Sequence, residues 1–223
     1  MVIGILLALQ LNNWNAEIAD KRESRRFMER LLVEVESNLQ ASALEIGKKR
    51  AQLSGLSAIL EMISNPAARS SQQTLDSLIY IVITSSTIDI QTGTLSEGLN
   101  NGKIALIGSD SLRVALYGFP AVLEAARAFE KLNNDDTNTS YGKFLYDHFN
   151  YRRMDATFSP YKEQIGKSAF PPDNFGLLTT LKFENLTDNR LFLTNRQFEI
   201  YSNLQEKLKR IRSLIQQELA REK

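Results

Sequence analysis

The stretch MERLLVEVESNLQASALEIGKKRAQLSGLSAILEMI, residues 28–63, decides the fold of this chain. Two largely apolar series run through it, and each repeats every seventh residue. They are Leu32, Leu39, Ile46, Leu53 and Leu60, and Met28, Val35, Ser42, Lys49, Leu56 and Ile63. This interleaved spacing is typical of a helix that packs along its length against other helices. We therefore predict one helix from about Ala16 to Ile63, roughly 70 Å long, with a kink or a change of partner near Gly47 and a stop at Ser64-Asn65-Pro66.

The C-terminal part of the chain carries a second such pattern. Its apolar series is Phe198, Tyr201, Leu204, Leu208, Ile211 and Ile215. The helix begins at Thr187 or Asp188, or else at Thr194, where Thr194 and Gln197 form a capping box, and the sequence leaves both starts open. Two long amphipathic helices at opposite ends of the chain predict antiparallel pairing.

The residues between the two long helices predict further helical elements. A short buried helix is expected over Gln72–Thr84, although its β-branched end is also compatible with a strand. An irregular connector over Ile88–Ile107 is expected next, followed by a helix from Ser109 or Asp110 to about Leu132 that Pro120 kinks or splits. A turn at Asn133–Asp136 and a helix over Thr139–Met154 follow. The last prediction is a long segment from Asp155 to Asp188 whose aromatic residues pack onto the body.

The first fourteen residues have the composition of the end of a membrane-spanning helix. The apolar residues Val2, Ile3, Ile5, Leu6, Leu7, Leu9 and Leu11 lie on every side of a helix. Asn12 and Asn13 end this run, and Trp14 follows where an aromatic residue of the membrane interface is expected. A spanning helix needs about 20 apolar residues, so we expect the other half of the anchor upstream of Met1.

These patterns together predict an all-α protein. Its fold class is an elongated antiparallel helical bundle with long first and last helices, preceded by the C-terminal part of a transmembrane helix. The predicted divisions are residues 1–14 for the end of the anchor, 15–30 for a charged stalk and 31–223 for the bundle domain. In the stalk, Lys21, Arg22, Arg25 and Arg26 suggest contact with lipid headgroups, but the intervening acids favour a solvated face.

Composition excludes several classes of function. The formal net charge is +1, from 27 basic and 26 acidic residues, so no overall charge favours nucleic acid as a partner. The chain contains no cysteine, which excludes thiol catalysis, thiolate metal sites and disulfides. The glycines between residues 92 and 110 match no phosphate-binding loop, and no calcium-loop spacing or nucleophile elbow occurs. We predict no cofactor, no metal site and no enzymatic activity.

One cluster is a candidate ligand site. It consists of His148, Tyr151, Arg152 and Arg153, with Arg152 four residues after His148 and so on the same helical face. Arginine forks match carboxylate and phosphate groups, which suggests a pocket for a small anion. Surface ion pairs of the two arginines with Asp147, Asp155 or Glu163 are the alternative, and we favour it. His148 is the only histidine, and its place beside Phe149 predicts a partly buried side chain.

The stretch VIGILLALQLNNWN, followed by a charged stalk and a long helix, resembles an uncharacterised family of bacterial membrane-anchored proteins known only as a domain of unknown function. Members have a stretch like ALQLNNWN at the end of a single N-terminal spanning helix. The segment TLSEGLNNGKIALIGSDSLRVAL, residues 94–116, is similar to a recurring central segment of that family. The resemblance implies an all-helical domain outside the cytoplasmic membrane and no particular activity. This chain lacks the upstream half of the anchor and the basic residues expected before it.

Topology and function follow as expectations. The cations after residue 20 alone favour a cytoplasmic bundle by the positive-inside rule, whereas the resemblance implies the periplasmic or extracytoplasmic side, which we adopt. We expect a single-pass protein of the bacterial cytoplasmic membrane, held in the bilayer by its N-terminal helix. Its expected role is to bind another protein or a second copy as an interaction or scaffolding domain. The alternative is a sensor-like module that binds a small anion.

Overall fold

A computed structural model describes residues 2–85, 87–170 and 173–221. Its α-helices are α1 (Val2–Ser64), α2 (Gln72–Ile83), α3 (Gly93–Asn100), α4 (Asp110–Asp136), α5 (Gly142–His148), α6 (Tyr151–Phe158) and α7 (Leu181–Arg221). No strand occurs in these ranges, so the all-helical prediction and the long first and last helices are confirmed. The predictions for Met1, Ser86, Pro171, Pro172, Glu222 and Lys223 lie outside the described residues.

The described chain forms two compact units. Unit 1 comprises Met1–Ala43, Ile88–Glu124 and Asn203–Lys223, and unit 2 comprises Leu44–Thr87 and Ala125–Ser202. Helices α1, α4 and α7 each contribute one segment to unit 1 and another segment to unit 2. The divisions at residues 14 and 30 stay predictions, and Ser24, Phe27 and Met28 of the predicted stalk are buried in unit 1.

The first and last helices run antiparallel where they pack together. In unit 1, the Arg25 guanidinium donates to the Leu219 carbonyl at 3.4 Å, and the Gln205 amide donates to the Ser42 hydroxyl at 3.3 Å. In unit 2, the Arg50 guanidinium lies over the Phe198 ring at 5.8 Å. The predicted apolar series of α7 is buried from Tyr201 to Ile215, with Phe198 half-buried.

Only one of the two predicted series of α1 is correct. Its members Met28, Val35, Ser42, Lys49 and Leu56 are buried. The other buried series lies one residue earlier than predicted and consists of Ser24, Leu31, Asn38, Glu45, Gln52 and Ile59. Of the predicted series only Ile46 is buried, and Leu32, Leu39, Leu53 and Leu60 are half-buried.

Two polar members of this series, Asn38 and Gln52, are buried together with hydrogen-bond partners. The Asn38 amide donates to the Gln91 carbonyl at 2.7 Å and accepts from the Gln91 N–H at 2.8 Å. Gln52 donates to the carbonyls of Ile81 and Thr84, at 3.2 and 2.7 Å. A buried polar group that is hydrogen-bonded costs little, so apolar spacing alone misplaced the series.

The predicted connector over Ile88–Ile107 is wrong, since it contains α3 and a 3₁₀ turn at Lys103–Leu106. Glu34 of α1 supplies the acceptors at the start of α3. Its two carboxylate oxygens accept from the N–H groups of Thr94, at 2.6 Å, and Leu95, at 3.1 Å. A cap provided by a side chain 60 residues away has no local sequence signal.

The predicted turn at Asn133–Asp136 is also wrong. These residues continue α4 into a π-helical turn at Thr137–Tyr141. Asn133 is buried there and hydrogen-bonds to Gln197 and Arg190, so its polarity serves a buried contact and not a turn. Pro120 lies inside α4, which continues past it, and Ser109 caps the helix with a 3.3 Å bond from the Leu112 N–H.

The remaining helix boundaries differ from the sequence prediction in two places. The helix expected over Thr139–Met154 is interrupted after His148, and the Asn150 side chain starts α6 by accepting from the Arg153 N–H at 3.2 Å. Helix α7 begins at Leu181, earlier than both predicted starts, with a 3.3 Å bond from the Phe183 N–H to the Thr180 hydroxyl. Thr187, Thr194 and Gln197 therefore lie inside α7, and none of them caps its start. Their side chains are buried.

Because α6 ends at Phe158 and α7 begins at Leu181, the long segment expected over residues 155–188 is shortened to residues 159–180. Its aromatic residues only partly pack as predicted. Phe183 is buried and Phe158 and Phe175 are half-buried, whereas Tyr161 and Phe170 are 65% and 78% exposed. The predicted helix over Gln72–Thr84 is confirmed as α2, with Ser71 as its cap.

Candidate functional site

The candidate ligand cluster lies in unit 2 where α5 ends and α6 begins. His148 is the last residue of α5, and its ring stacks on Phe144 with 4.2 Å between the ring centroids. Its Nδ1 lies 2.9 Å from the Phe144 carbonyl oxygen. The side chain is exposed, so the prediction of a partly buried histidine is wrong.

His148, Tyr151 and Arg152 line one open pocket of about 540 Å³, together with the segment that carries Ser168 and Phe170. The helical break brings these three side chains together, because α5 and α6 are separate helices and the expected shared helical face does not exist. Arg152 is exposed and makes a long 3.5 Å contact with the Lys167 carbonyl. The carboxylates of Asp147 and Asp173 also line the pocket and lower its positive potential.

Arg153, the fourth predicted member, has a different role. Its Nε lies 3.1 Å from an Asp76 carboxylate oxygen, and its Nη1 donates to Gln72 at 2.8 Å. Asp76 is 2% exposed and also accepts from the Asn174 amide at 2.6 Å. Burial raises the pKa of Asp76, against the opposing effects of Asn174 and Arg153. Arg153 thus ties α6 to α2, through a partner that the sequence pattern did not identify.

Unit 2 also contains a buried polar layer that the sequence reasoning missed. It consists of Lys49 and Gln52 on α1, Glu130 and Asn133 on α4, and Arg190, Gln197 and Tyr201 on α7. Tyr201 donates to a Glu130 carboxylate oxygen and accepts from Gln197 at 2.8 Å, and Lys49 donates to Gln52 at 3.1 Å. The available signal for this layer was Lys49, a charged residue within a largely apolar series of α1.

Burial governs the ionisation of this layer. Burial, together with the nearby charge of Arg190 and against the acids Glu45 and Glu130, lowers the pKa of the Lys49 amine to about 8. Burial likewise lowers the pKa of Arg190. The pKa of the Tyr201 hydroxyl is raised by burial and by its hydrogen bond to Glu130. The layer therefore favours a neutral Lys49 in weakly alkaline solution.

The N-terminal end of α1 exposes apolar side chains. Ile5, Leu7, Leu9 and Leu11 are between 54% and 57% exposed, and Trp14 is 59% exposed. The predicted interface residues Asn12 and Asn13 are exposed as well. Within the part of the chain that the structure describes, no helix has a stretch long and apolar enough to cross a membrane.

Across residues 2–85, 87–170 and 173–221, no three carboxylate or histidine side chains are grouped so that they could hold a metal ion.

Comparison with known proteins gives one match. A sequence model of the family of unknown function (DUF6090) matches residues 1–150, about two thirds of the chain. No curated protein and no solved structure matches.

Proposed function

This chain belongs to that family of unknown function, and since membership assigns no activity, we propose from its own residues that it is a membrane-held helical domain that binds a second protein. The partner is another protein or a further copy of this chain. The observation that carries the proposal is the set of exposed apolar side chains between Ile5 and Trp14. The resemblance to bacterial membrane-anchored proteins supports placing the body outside the cytoplasmic membrane.

Exposed apolar residues at this end of α1 favour a bilayer over water. Full burial of one leucine side chain contributes about 1.5–3 kcal/mol, and four large aliphatic side chains are exposed here. Ten helical residues rise about 15 Å, which is about half the thickness of the hydrocarbon layer. With Asn12, Asn13 and Trp14 at the interface, the described segment would reach the middle of the bilayer.

A vesicle flotation experiment with the full chain tests this anchor. We expect the chain to float with phosphatidylcholine vesicles, and the double substitution Leu9→Asn/Leu11→Asn to reduce its partition coefficient by about tenfold or more. The matched control is Val33→Asn/Leu44→Asn, because these residues of α1 are similarly exposed, at 67% and 62%. A chain that stays in the aqueous fraction would refute the membrane part of the proposal.

Exposed apolar residues on α4 support the binding of a protein. Val114 is 71% and Tyr117 51% exposed, and residues 114–123 contain no charged side chain. Contiguous exposed apolar residues are typical of protein interfaces. We expect the detergent-solubilised chain to associate with rising concentration in sedimentation velocity, and Val114→Glu/Tyr117→Glu to weaken that association. A monomer at every concentration would exclude self-association.

The pocket at the α5–α6 break supports a second candidate function, the binding of a small anion. His148, Tyr151 and Arg152 line it together, as a carboxylate or phosphate site requires. Inorganic phosphate should then raise the melting temperature of the chain but not that of Arg152→Gln. Lys182→Gln, which removes an exposed cation elsewhere in unit 2, is the control. Equal shifts in all three proteins would exclude this function.

A further inference from the structure

Unit 1 contains an open groove beside the first helix, which we call the basic groove. It has a volume of about 910 Å³ and is lined by the charged residues Arg22, Glu23, Arg26, Glu29, Arg30 and Lys103. On α1, Arg22, Arg26 and Arg30 are each four residues apart, and Glu23 and Glu29 lie next to them, so these residues lie on one face of the helix. Lys103 comes from the 3₁₀ turn after α3.

The acids in and beside the basic groove form ion pairs with cations other than Arg22 and Arg26. Glu97, beside the groove, binds Arg30 and Lys103, each at 2.8 Å, and these two hydrogen bonds lower its pKa to about 2. Glu23 pairs with Lys103 at 3.3 Å. Glu29 pairs with Arg25 at 3.1 Å, outside the groove. The acids between the basic residues therefore do not compensate every cation, contrary to the expectation of a balanced solvated face.

Two arginines remain without an acidic partner. Arg22 and Arg26 are exposed, lie one helical turn apart, and form no ion pair among the described residues. Planar guanidinium groups bind phosphate oxygens through paired N–H donors. The ion pairs of Arg30 and Lys103 with Glu97 connect the groove to α3.

The basic groove lies at a defined distance from the apolar segment. Helix α1 is continuous from Val2 to Ser64, so Arg22 and Arg26 lie about 12 and 18 Å along the axis from Trp14. The headgroup layer extends about 5–8 Å beyond the hydrocarbon layer. A long arginine side chain directed back toward the membrane covers much of the difference for Arg22. Arg26 lies about one Debye length, near 8–10 Å, beyond the headgroups.

We propose that the basic groove binds the phosphate group of an anionic membrane lipid through Arg22, with Arg26 adding longer-range attraction to the anionic surface. This inference rests on the proposed membrane attachment and adds a preference for lipid charge to it. The attachment through the apolar segment depends little on headgroup charge, whereas binding in the groove requires it. The two are therefore separable by changing the lipid while the protein stays the same.

The experiment measures partition of the full chain onto vesicles of pure phosphatidylcholine and onto vesicles that also contain phosphatidylglycerol. A basic residue near an anionic surface contributes about fivefold in partition, and Arg26, about one Debye length away, contributes less, so the two together contribute between about fivefold and 30-fold. We expect Arg22→Gln/Arg26→Gln to lose roughly that factor on the anionic vesicles and nothing on pure phosphatidylcholine. The control Lys207→Gln/Arg210→Gln removes the same charge from exposed residues of unit 1 at another groove and should lose far less.

Each result decides a different point. Equal anionic-vesicle binding by Arg22→Gln/Arg26→Gln and the unaltered chain would overturn the lipid site. Absence of binding to pure phosphatidylcholine would instead contradict the apolar anchor. Stabilisation by inorganic phosphate that disappears in Arg22→Gln/Arg26→Gln, without any effect of phosphatidylglycerol, would assign the groove to free phosphate and also overturn the lipid assignment. Thermal melts of both double variants establish that they fold.

Discussion

The Lys49 amine is 2% exposed in unit 2, and its ionisation makes the stability of the protein depend on pH. Its pKa is about 8 in the folded chain and near 10.5 when unfolded. Between these values the unfolded chain binds a proton that the folded chain lacks, so the free energy of unfolding rises with pH. The rise from pH 8 to pH 9.5 should be about 2 kcal/mol.

Urea titrations of Lys49→Met at several pH values between 7 and 9.5 test this assignment. We expect the substitution to remove the alkaline rise, because methionine has no proton to lose. Lys48→Met is the control, since Lys48 is 47% exposed and pairs with Glu45. It should keep the alkaline rise, because it leaves the Lys49 amine in place. An undiminished rise in Lys49→Met would assign the effect to another group.

Gly98 of α3 allows a close approach to Phe27 in the core of unit 1. A Cβ atom at Gly98 would lie 2.3 Å from the Phe27 Cζ and 3.2 Å from the Ile104 Cγ1. Because Phe27 is buried and cannot easily move, we expect Gly98→Ala to lower the free energy of unfolding by about 1–3 kcal/mol.

The matched control for Gly98→Ala is Gly47→Ala. Gly47 lies inside α1 with no atom within 4 Å of an added Cβ. Alanine there should raise the stability by up to about 1 kcal/mol, since it restricts the unfolded chain and favours a helix. Chemical denaturation of both variants provides the comparison, and equal losses would show that packing at Gly98 is not limiting.

At the scale of the helices, α3 depends on Glu34 of α1. The Glu34 carboxylate accepts the N–H groups of Thr94 and Leu95, and Thr92, the residue before α3, provides no side-chain cap. We expect Glu34→Ala to destabilise the protein by about 1–2 kcal/mol, because two part-buried N–H donors lose a charged acceptor. Glu36→Ala, at an exposed position of the same helix, should change the stability by less than about 0.5 kcal/mol. Hydrogen exchange of the α3 amides distinguishes local from global loss.

The helices illustrate how far the sequence could predict this fold. Apolar spacing identified α1, α2 and α7 because their buried sides repeat at the helical period. It misplaced one series of α1 because Asn38 and Gln52 are buried by hydrogen bonds to backbone atoms that are distant in sequence. It missed α3 for the same reason, since its cap comes from Glu34. Short-range patterns cannot report partners that only folding brings together.

The candidate site shows the same limit. The cluster His148, Tyr151 and Arg152 was predicted from helical spacing, and the structure gathers these residues at a break between helices instead. Arg153 was assigned to the same cluster but pairs with Asp76, 77 positions earlier in the chain. The residue types alone led to the prediction of an anion site, whereas the geometry of the pocket depends on Asn150, which starts a new helix.

At the scale of the whole molecule, the proposed membrane attachment predicts that the body lies on the extracytoplasmic side. The chain contains no cysteine, so Ser70→Cys introduces a single thiol at an exposed position of unit 2. We expect a membrane-impermeant maleimide to label it in intact cells, because the resemblance places the body outside the cytoplasm. Ser24→Cys, whose side chain is fully buried, should stay unlabelled. Labelling of Ser70→Cys only after lysis would reverse the proposed orientation.

The antiparallel pairing of α1 and α7 has a consequence for synthesis. Arg25 binds the carbonyl of a residue 194 positions later, so the ribosome makes α1 long before its partner exists. At about 5–20 residues per second, that interval is roughly 10–40 s. During this time α1 emerges with its future core surface open to premature aggregation. Asn38, Glu45, Lys49 and Gln52 interrupt that surface with polar groups, which keeps the nascent helix compatible with water until α7 is complete.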